Sequence, residues 1–317
     1  MNASPVIFDF AGKRVFVAGH AGMAGSAIVR RLQGENCNIV TAARCDLDLR
    51  QSDAVDRFMA QAKPDAIFVA AGKVGGIRAN STFPADFIAD NIAIVLNIIR
   101  AAHRCSVKKL LYLGSSCIYP RQAQQPMTPD LLLSGELEPT NQWYAIAKIA
   151  GIKLCQAFRL QHGADFISVM PTNLYGPGDN YHPDDSHVPA ALMRRFHEAK
   201  LAHAPCVTVW GTGTPRREFL AVDDLADACV FVMKRYSDLD FINIGSGVDT
   251  TIAEFAHLIA DVVGYRGQFE FDTSRPDGSQ QKLLNVSHIN LLGWRARTPL
   301  REGLTQMYGD FLTRYTA

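Results

Sequence analysis

The chain has 317 residues and a formal net charge of +1, from 32 basic and 31 acidic side chains. Balanced, interspersed charge gives no global field for nucleic acid or an anionic membrane, so any anionic ligand must be met by local cations. With 48% hydrophobic residues the chain can fill one large α/β domain or two modest ones. The opening "MNASPVIFDFAGKRV" lacks the basic start and apolar stretch of a signal peptide. No apolar run reaches the roughly 18 residues of a membrane span, so we expect a cytoplasmic protein that neither enters a membrane nor binds nucleic acid.

Strand 14–19 opens a series in which short β-branched runs alternate with longer amphipathic ones, the pattern of a doubly wound parallel α/β sheet. It runs into "GHAGMAG", which places Gly19, Gly22 and Gly25 between strand and helix 23–33. Such a turn suits a dinucleotide: Gly19 for the bend, Gly22 and Met23 against the pyrophosphate, Gly25 for close helix–strand packing. Strand 38–43 ends in "AARCDLDL", where NAD-preferring domains often carry an acid; Arg44 there suits a 2′-phosphate and favours NADP(H). Arg44 also reads as an ordinary surface arginine. Asp46 or Asp48 is placed to accept from the adenine amino group.

Helix 51–62, strand 66–72, helix 84–104 and strand 110–116 continue the alternation, the strands reading as buried on both faces. The fourth strand ends in "LLYLGSSCIYP", two serines and a thiol at a sheet's carboxyl edge, where ligands of such folds bind. Helix 144–162 carries Tyr144 and Lys148 one turn apart. A phenol with pKa near ~10 needs a neighbouring ammonium, and a nicotinamide cation, to be lowered into the working range. Ser115 or Ser116 would face the same nicotinamide. After strand 166–172, "NLYGPGDNYHPDDSH" reads as a long functional loop. Beyond it we expect helices 188–200, 223–236, 251–263 and 301–313, with strands at "VTVWG", "FINIG" and "FEFD". The resulting division is a Rossmann-type domain, 1–174 with a returning segment near 218–246, and a smaller mixed α/β substrate domain, 175–317.

The seven cysteines are odd in number and contain no C-x-x-C, which argues against a disulfide framework or zinc ribbon; most read as small buried hydrophobes. No histidine pair has ligand spacing, and no metal is expected.

With the glycine turn, Ser115 and the Tyr144/Lys148 pair, the chain resembles the extended short-chain dehydrogenase/reductase superfamily, whose members act mostly on nucleotide sugars. "GTGTPRREFLAVDDLADA" and "LLGWRARTPLREGL" look like that group's substrate-domain signatures. More narrowly, "AAGKVGGIRANSTFPADF", "LGSSCIYP", "EPTNQWYAIAKIAG", "SVMPTNLYGP" and "DSHVPAALMRRFHEA" are similar to the GDP-L-fucose synthase family of bifunctional epimerase/reductases. Ala21 departs from members that carry an arginine near the cofactor phosphates, so the NADP preference rests on Arg44.

The resemblance implies that GDP-4-keto-6-deoxy-D-mannose is epimerised at C3 and C5 and reduced at C4 by NADPH, all in one pocket. It assigns Cys117 as base and His187 as acid; read from the residues alone, one is a buried structural cysteine and the other a solvated loop residue. Tyr144 becomes the proton donor, Lys148 its electrostatic and ribose partner, and Ser115 the group that orients the ketone. Pro171, Asn173, Leu174 and His187 would border the nicotinamide. Lys73 and Gly75 would neighbour the sugar, and Arg195, Arg217 and Lys282 would meet the diphosphate. Trp210 would cover the base or fill the core, with the core slightly favoured. Rivals are a GDP-colitose synthase, a UDP-sugar 4-epimerase that retains NAD, and a non-catalytic dinucleotide sensor. A homodimer through helices 84–104 and 144–162 is expected from apolar residues such as Ile88, Ile92, Val95 and Ile99.

Overall fold

The computed structural model describes residues 5–183, 186–274 and 277–315, so Asp184 and Asp185 of the long loop lie outside the described residues. In chain order the first half contains β1 (Arg14–Ala18), α1 (Met23–Leu32), β2 (Asn38–Val40), α2 (Ser52–Ala62), β3 (Ala66–Val69), α3 (Ile77–Thr82), α4 (Pro84–Arg104), β4 (Lys109–Leu113), α5 (Gln142–His162), β5 (Phe166–Pro171) and β6 (Asn173–Tyr175). The second half contains α6 (Val188–Leu201), β7 (Cys206–Trp210), β8 (Arg216–Ala221), α7 (Val222–Arg235), β9 (Ile242–Ile244), β10 (Asp249–Thr251), α8 (Ile252–Val263), β11 (Gln268–Asp272), β12 (Gln281–Lys282), α9 (Ser287–Leu292) and α10 (Leu300–Tyr315).

Six strands form one sheet in the order β2-β1-β3-β4-β5-β9, with every neighbouring pair parallel. Parallel strands need crossover helices on the faces, and β1, β3, β4 and β5 are accordingly apolar and almost wholly buried past their first residue. α1 packs on α7, and α4 packs on α5 and α2. The chain steps from β1 outward to β2 and then returns to the other side as β3, which makes the carboxyl ends of β1 and β3 a topological switch point. This is a Rossmann-type doubly wound sheet.

Two separate apolar clusters divide the molecule. One is built on the six-stranded sheet and its helices. The other gathers Tyr175, Phe196, Val209, Phe219, Phe255, Ile259 and Phe311 from β6, α6, β7, β8, α8 and α10, with Tyr181 from the loop between β6 and α6. α8 starts on a capping box, in which the Thr251 hydroxyl accepts the Glu254 N–H and the Glu254 carboxylate accepts the Thr251 N–H. Arg30 and Arg31 of α1 bond Asp223 and Asp227 of α7 at 2.6 and 2.7 Å, tying that helix pair together.

Several expectations change. β2 is a partly exposed edge strand ending at Val40, not a strand buried on both faces, because only β1 flanks it. The long loop begins as a strand, since β6 pairs with β8. Trp210 lies outside both cores and is 60% exposed, because β7 alternates and the tryptophan falls on its outward phase. Only Cys117, Cys155 and Cys229 are buried; Cys45 and Cys206 are exposed, and all seven thiols are free. Val95 and Ile99 turn into the core, leaving Ile88 and Ile92 half-buried on α4. Among the described residues no helix is long and apolar enough to cross a membrane.

Candidate active site

The switch point is built by glycine. Gly19 adopts φ +84°, and a Cβ there would lie 2.6 Å from the Ala71 nitrogen in the segment leaving β3. A Cβ on Gly25 would lie 2.0 Å from the Gly19 carbonyl oxygen, so α1 can begin this close to β1 only without a side chain at that position. Gly22, the N-cap of α1, donates its N–H to Gly19 O at 3.1 Å. No side chain caps the helix and no acid stands in its first turn. Met23 and the residues after it therefore offer free N–H groups and the positive end of the helix dipole, the arrangement a pyrophosphate fits. Arg44 is exposed on the turn beyond β2. Asp48 is held at about 2 by a hydrogen bond from Arg50 and is engaged there, whereas Asp46 is exposed.

Further along the sheet edge, β4 delivers a tight cluster. Ser115 caps a short 3-10 turn over residues 116–118 and accepts the Cys117 N–H at 3.4 Å, so the thiol belongs to this turn rather than to the strand. Ser116 is buried. Ser115, not Ser116, is the serine shared by its neighbours: its hydroxyl opposes the rise of both the Tyr144 and the Cys117 pKa. Lys148 donates to the Leu113 carbonyl at 2.8 Å and stands 5.5 Å from the Tyr144 ring centroid and 5.0 Å from that of Tyr112.

Burial dominates the electrostatics. It raises the Cys117 thiol, with Ser115, Lys282 and Lys148 pulling it back down. It pulls the Lys148 ammonium down to about 8. In the chain alone Tyr144 is pushed well up by burial and by the charge of Cys117, with Ser115 opposing the rise; the lowering expected from Lys148 together with a nicotinamide cation concerns the cofactor-bound site.

The remaining candidates are dispersed over several elements. Arg217 and Lys282 stand on paired strands, each with its pKa lowered by burial; Lys282 interacts with the Cys117 charge. Arg217 donates to the carbonyls of Arg216 and Asp277 at 2.8 and 3.4 Å. Arg195 and Trp210 face each other, the guanidinium 5.7 Å from the ring centroid, beside an open pocket of about 460 Å³ also lined by Glu198 and Thr208. Lys73 is engaged by Asp86 at 2.6 Å and lies near Asp90. His187 is the exposed N-cap of α6; protein crowding around the imidazole lowers its pKa, and it shares no hydrogen bond with the cluster among the described residues. Pro171 is buried at the end of β5, Leu174 is half-buried in β6, and the Asn173 side chain donates to the Glu218 carbonyl at 2.8 Å.

Sequence reasoning missed two residues. Asn91, buried in α4, accepts the Lys73 N–H at 2.9 Å and donates to the Lys73 carbonyl at 3.0 Å, clamping the segment after β3. Its signal was an amide set in an apolar helix, a feature α4 shows twice, at Asn91 and Asn97. Glu138 ion-pairs Arg121 at 3.4 Å and acts on both Arg217 and Lys282.

A glycine turn at the switch point of a parallel sheet, next to serine, tyrosine and lysine on adjoining elements, defines a dinucleotide-dependent enzyme of the extended short-chain dehydrogenase/reductase class. Residues 15–245 match the NAD dependent epimerase/dehydratase family. The chain is 57% identical over 300 residues to GDP-L-fucose synthase 1 of Arabidopsis thaliana, covering 94% of this chain and 93% of that one. It is 54% identical over 310 residues to GDP-L-fucose synthase of Escherichia coli K12, covering 95% and 97%. A GDP-mannoheptose C4 reductase of Campylobacter jejuni, solved with NADP bound, superposes with TM-score 0.87 at 35% identity, covering 95% of this chain and 98% of that one. The chain belongs to the NAD dependent epimerase/dehydratase family and, within it, to the GDP-L-fucose synthases.

Proposed function

We propose that the chain converts GDP-4-keto-6-deoxy-D-mannose to GDP-L-fucose, by epimerisation at C3 and C5 followed by NADPH-dependent reduction of the C4 ketone. The observation that carries this reading is the cluster at the end of β4, where Ser115 accepts the Cys117 N–H and Lys148, bonded to the Leu113 carbonyl, lies over the Tyr144 ring. The relatives' names supply the sugar. Residues 1–174 with a returning segment near 218–246 hold the dinucleotide, and residues 175–317 hold the GDP-sugar.

In this mechanism the Cys117 thiolate removes the proton at C3 and then at C5, each acidified by the adjacent ketone. Lys282 and Lys148 favour the thiolate that burial opposes. His187 returns a proton to the opposite face and inverts each centre. Ser115 and Tyr144 hold the C4 oxygen, and Tyr144 donates its proton there as the alkoxide forms. Bound NADPH supplies the hydride. Lys148 stabilises the tyrosinate left behind and holds the ribose, while Pro171, Asn173 and Leu174 border the nicotinamide. Arg195, Arg217, Lys282 and Trp210 receive the GDP end, and Lys73 lies beside the sugar through the loop that Asn91 clamps. α4 and α5 form the dimer contact, and the enzyme works in the cytoplasm.

The test is incubation with GDP-4-keto-6-deoxy-D-mannose and NADPH. GDP-L-fucose is the expected product. Turnover only of a 3,6-dideoxy substrate would instead assign a colitose-type enzyme, and no NADPH consumption with either sugar would overturn catalysis.

Arg44→Ala is expected to narrow the preference for NADPH over NADH about ten- to a hundredfold, the worth of a charge-assisted hydrogen bond to the 2′-phosphate. The ratio of the two dissociation constants measures it; an unchanged ratio makes Arg44 a plain surface residue. Lys148 gives a pH signature. Its charge, pulled down to about 8 by burial, is present below that pH and lost as pH rises through it. Reduction rates should therefore hold below about pH 8 and fall above it, and Lys148→Arg, with a guanidinium that stays charged, should remove the fall from whatever activity it retains.

A further inference from the structure

We infer that Glu218 is a positioning residue for the nucleotide diphosphate, fixing the register in which Arg217 and Lys282 stand side by side. The inference rests on the GDP-sugar reading above.

β8 and β12 are parallel, with Lys282 opposite Arg217 and Gln281 opposite Arg216. Residues in register on neighbouring strands present their side chains to the same face, so the two cations share one. Like charges placed opposite one another drive strands apart, and Arg217 indeed depresses the Lys282 ammonium. β12 is only two residues long, too short for its ladder to hold such a pair alone.

Glu218 follows Arg217 on β8 and therefore points to the other face, where it is 0% exposed. Its Oε2 accepts the Leu284 N–H at 2.9 Å, two residues beyond Lys282. Its Oε1 accepts the Gly247 N–H at 2.7 Å and the Ser246 hydroxyl at 3.5 Å, from the turn after β9. The main-chain carbonyl of the same residue accepts Thr172 Oγ1 at 3.1 Å and Asn173 Nδ2 at 2.8 Å, at the β5–β6 junction. One residue thus joins the end of the large sheet to the strand that carries Lys282. Among the described residues the carboxylate's hydrogen-bond partners are N–H and O–H groups, so it anchors both strands without neutralising Arg217 or Lys282. A Cβ on Gly245 would lie 2.1 Å from Glu218 Oε1, so the carboxylate occupies the space a side chain there would take.

Calorimetric titration with GDP alone, at a temperature where each variant is folded, reads the effect directly. Glu218→Gln sets an amide donor against one of two N–H donors, and Gly245→Ala displaces the carboxylate while keeping its charge. Each is expected to raise the GDP dissociation constant and the KM for the GDP-sugar about tenfold or more, with the NADPH dissociation constant within about threefold of wild type. Lys282→Met should weaken GDP similarly, and adding it to Gly245→Ala should cost much less than the product of the single effects. A purely scaffolding role would instead lower NADPH affinity along with thermal stability. Should Glu218→Gln not fold, Gly245→Ala and Lys282→Met carry the test. The inference is overturned if wild type binds GDP and either of these binds it equally well. If wild type itself does not bind GDP, the GDP-sugar reading falls and takes this inference with it.

Discussion

Tyr144→Phe is expected to reduce ketone turnover about 100- to 10,000-fold, the usual loss when a general acid is removed, while leaving the ring in place. Phe87 meets the Tyr144 ring edge-on at 6.4 Å and Lys148 lies over its face, so the phenylalanine should keep its packing. The NADPH dissociation constant should change little. Burial keeps the Tyr144 phenol protonated in the chain alone, the form required of a proton donor. Near-normal NADPH oxidation by the variant would remove Tyr144 from the mechanism.

Cys117→Ser is expected to separate the two halves of the reaction. The side chain keeps its shape, but a hydroxyl much less acidic than a thiol of reference pKa about 8.5 replaces it, so C–H abstraction should collapse by at least about 100-fold. Reduction needs Tyr144 and Ser115 instead and should suffer less. With NADPH present, the variant should reduce unepimerised ketone to GDP-6-deoxy sugars of the D series. His187→Asn should retain some exchange at carbon without forming epimer, because the thiolate still deprotonates while the opposite face has lost its acid. If Cys117→Ser yields GDP-L-fucose at the wild-type rate, the thiol is structural.

The local structure around the candidate site was legible in the sequence: strand, glycine turn and helix form at 14–32, and Tyr144 and Lys148 stand on one helix. A strand, three glycines and a helix must be contiguous to suit a pyrophosphate, whereas a tyrosine and lysine one turn apart occur by chance on many helices and gain meaning only beside the serine at the end of the fourth strand. β8 was not legible: "RREFLA" opens with two arginines, and its partners β6, β10 and β12 are two or three residues long and come from distant parts of the chain. Missing β8 hid the alignment of Arg217 with Lys282 and the place of Glu218. Trp210 was misread because size was weighed above phase; the alternation of "CVTVW", with both valines inward, already placed it outside. The choice between Ser115 and Ser116 depended on a 3-10 turn that no periodicity announces. The rise of the Tyr144 pKa comes first from burial, which only the fold supplies.

The claim that epimerisation and reduction share one pocket is tested most directly by running the wild-type reaction in heavy water with ordinary NADPH and locating deuterium in the product. The account predicts GDP-L-fucose carrying deuterium at C3 and at C5, each placed by proton exchange, and protium at C4, delivered as hydride. A reduced product with protium at both C3 and C5 would contradict it, because the chain would then be a reductase whose cysteine never touches a C–H bond.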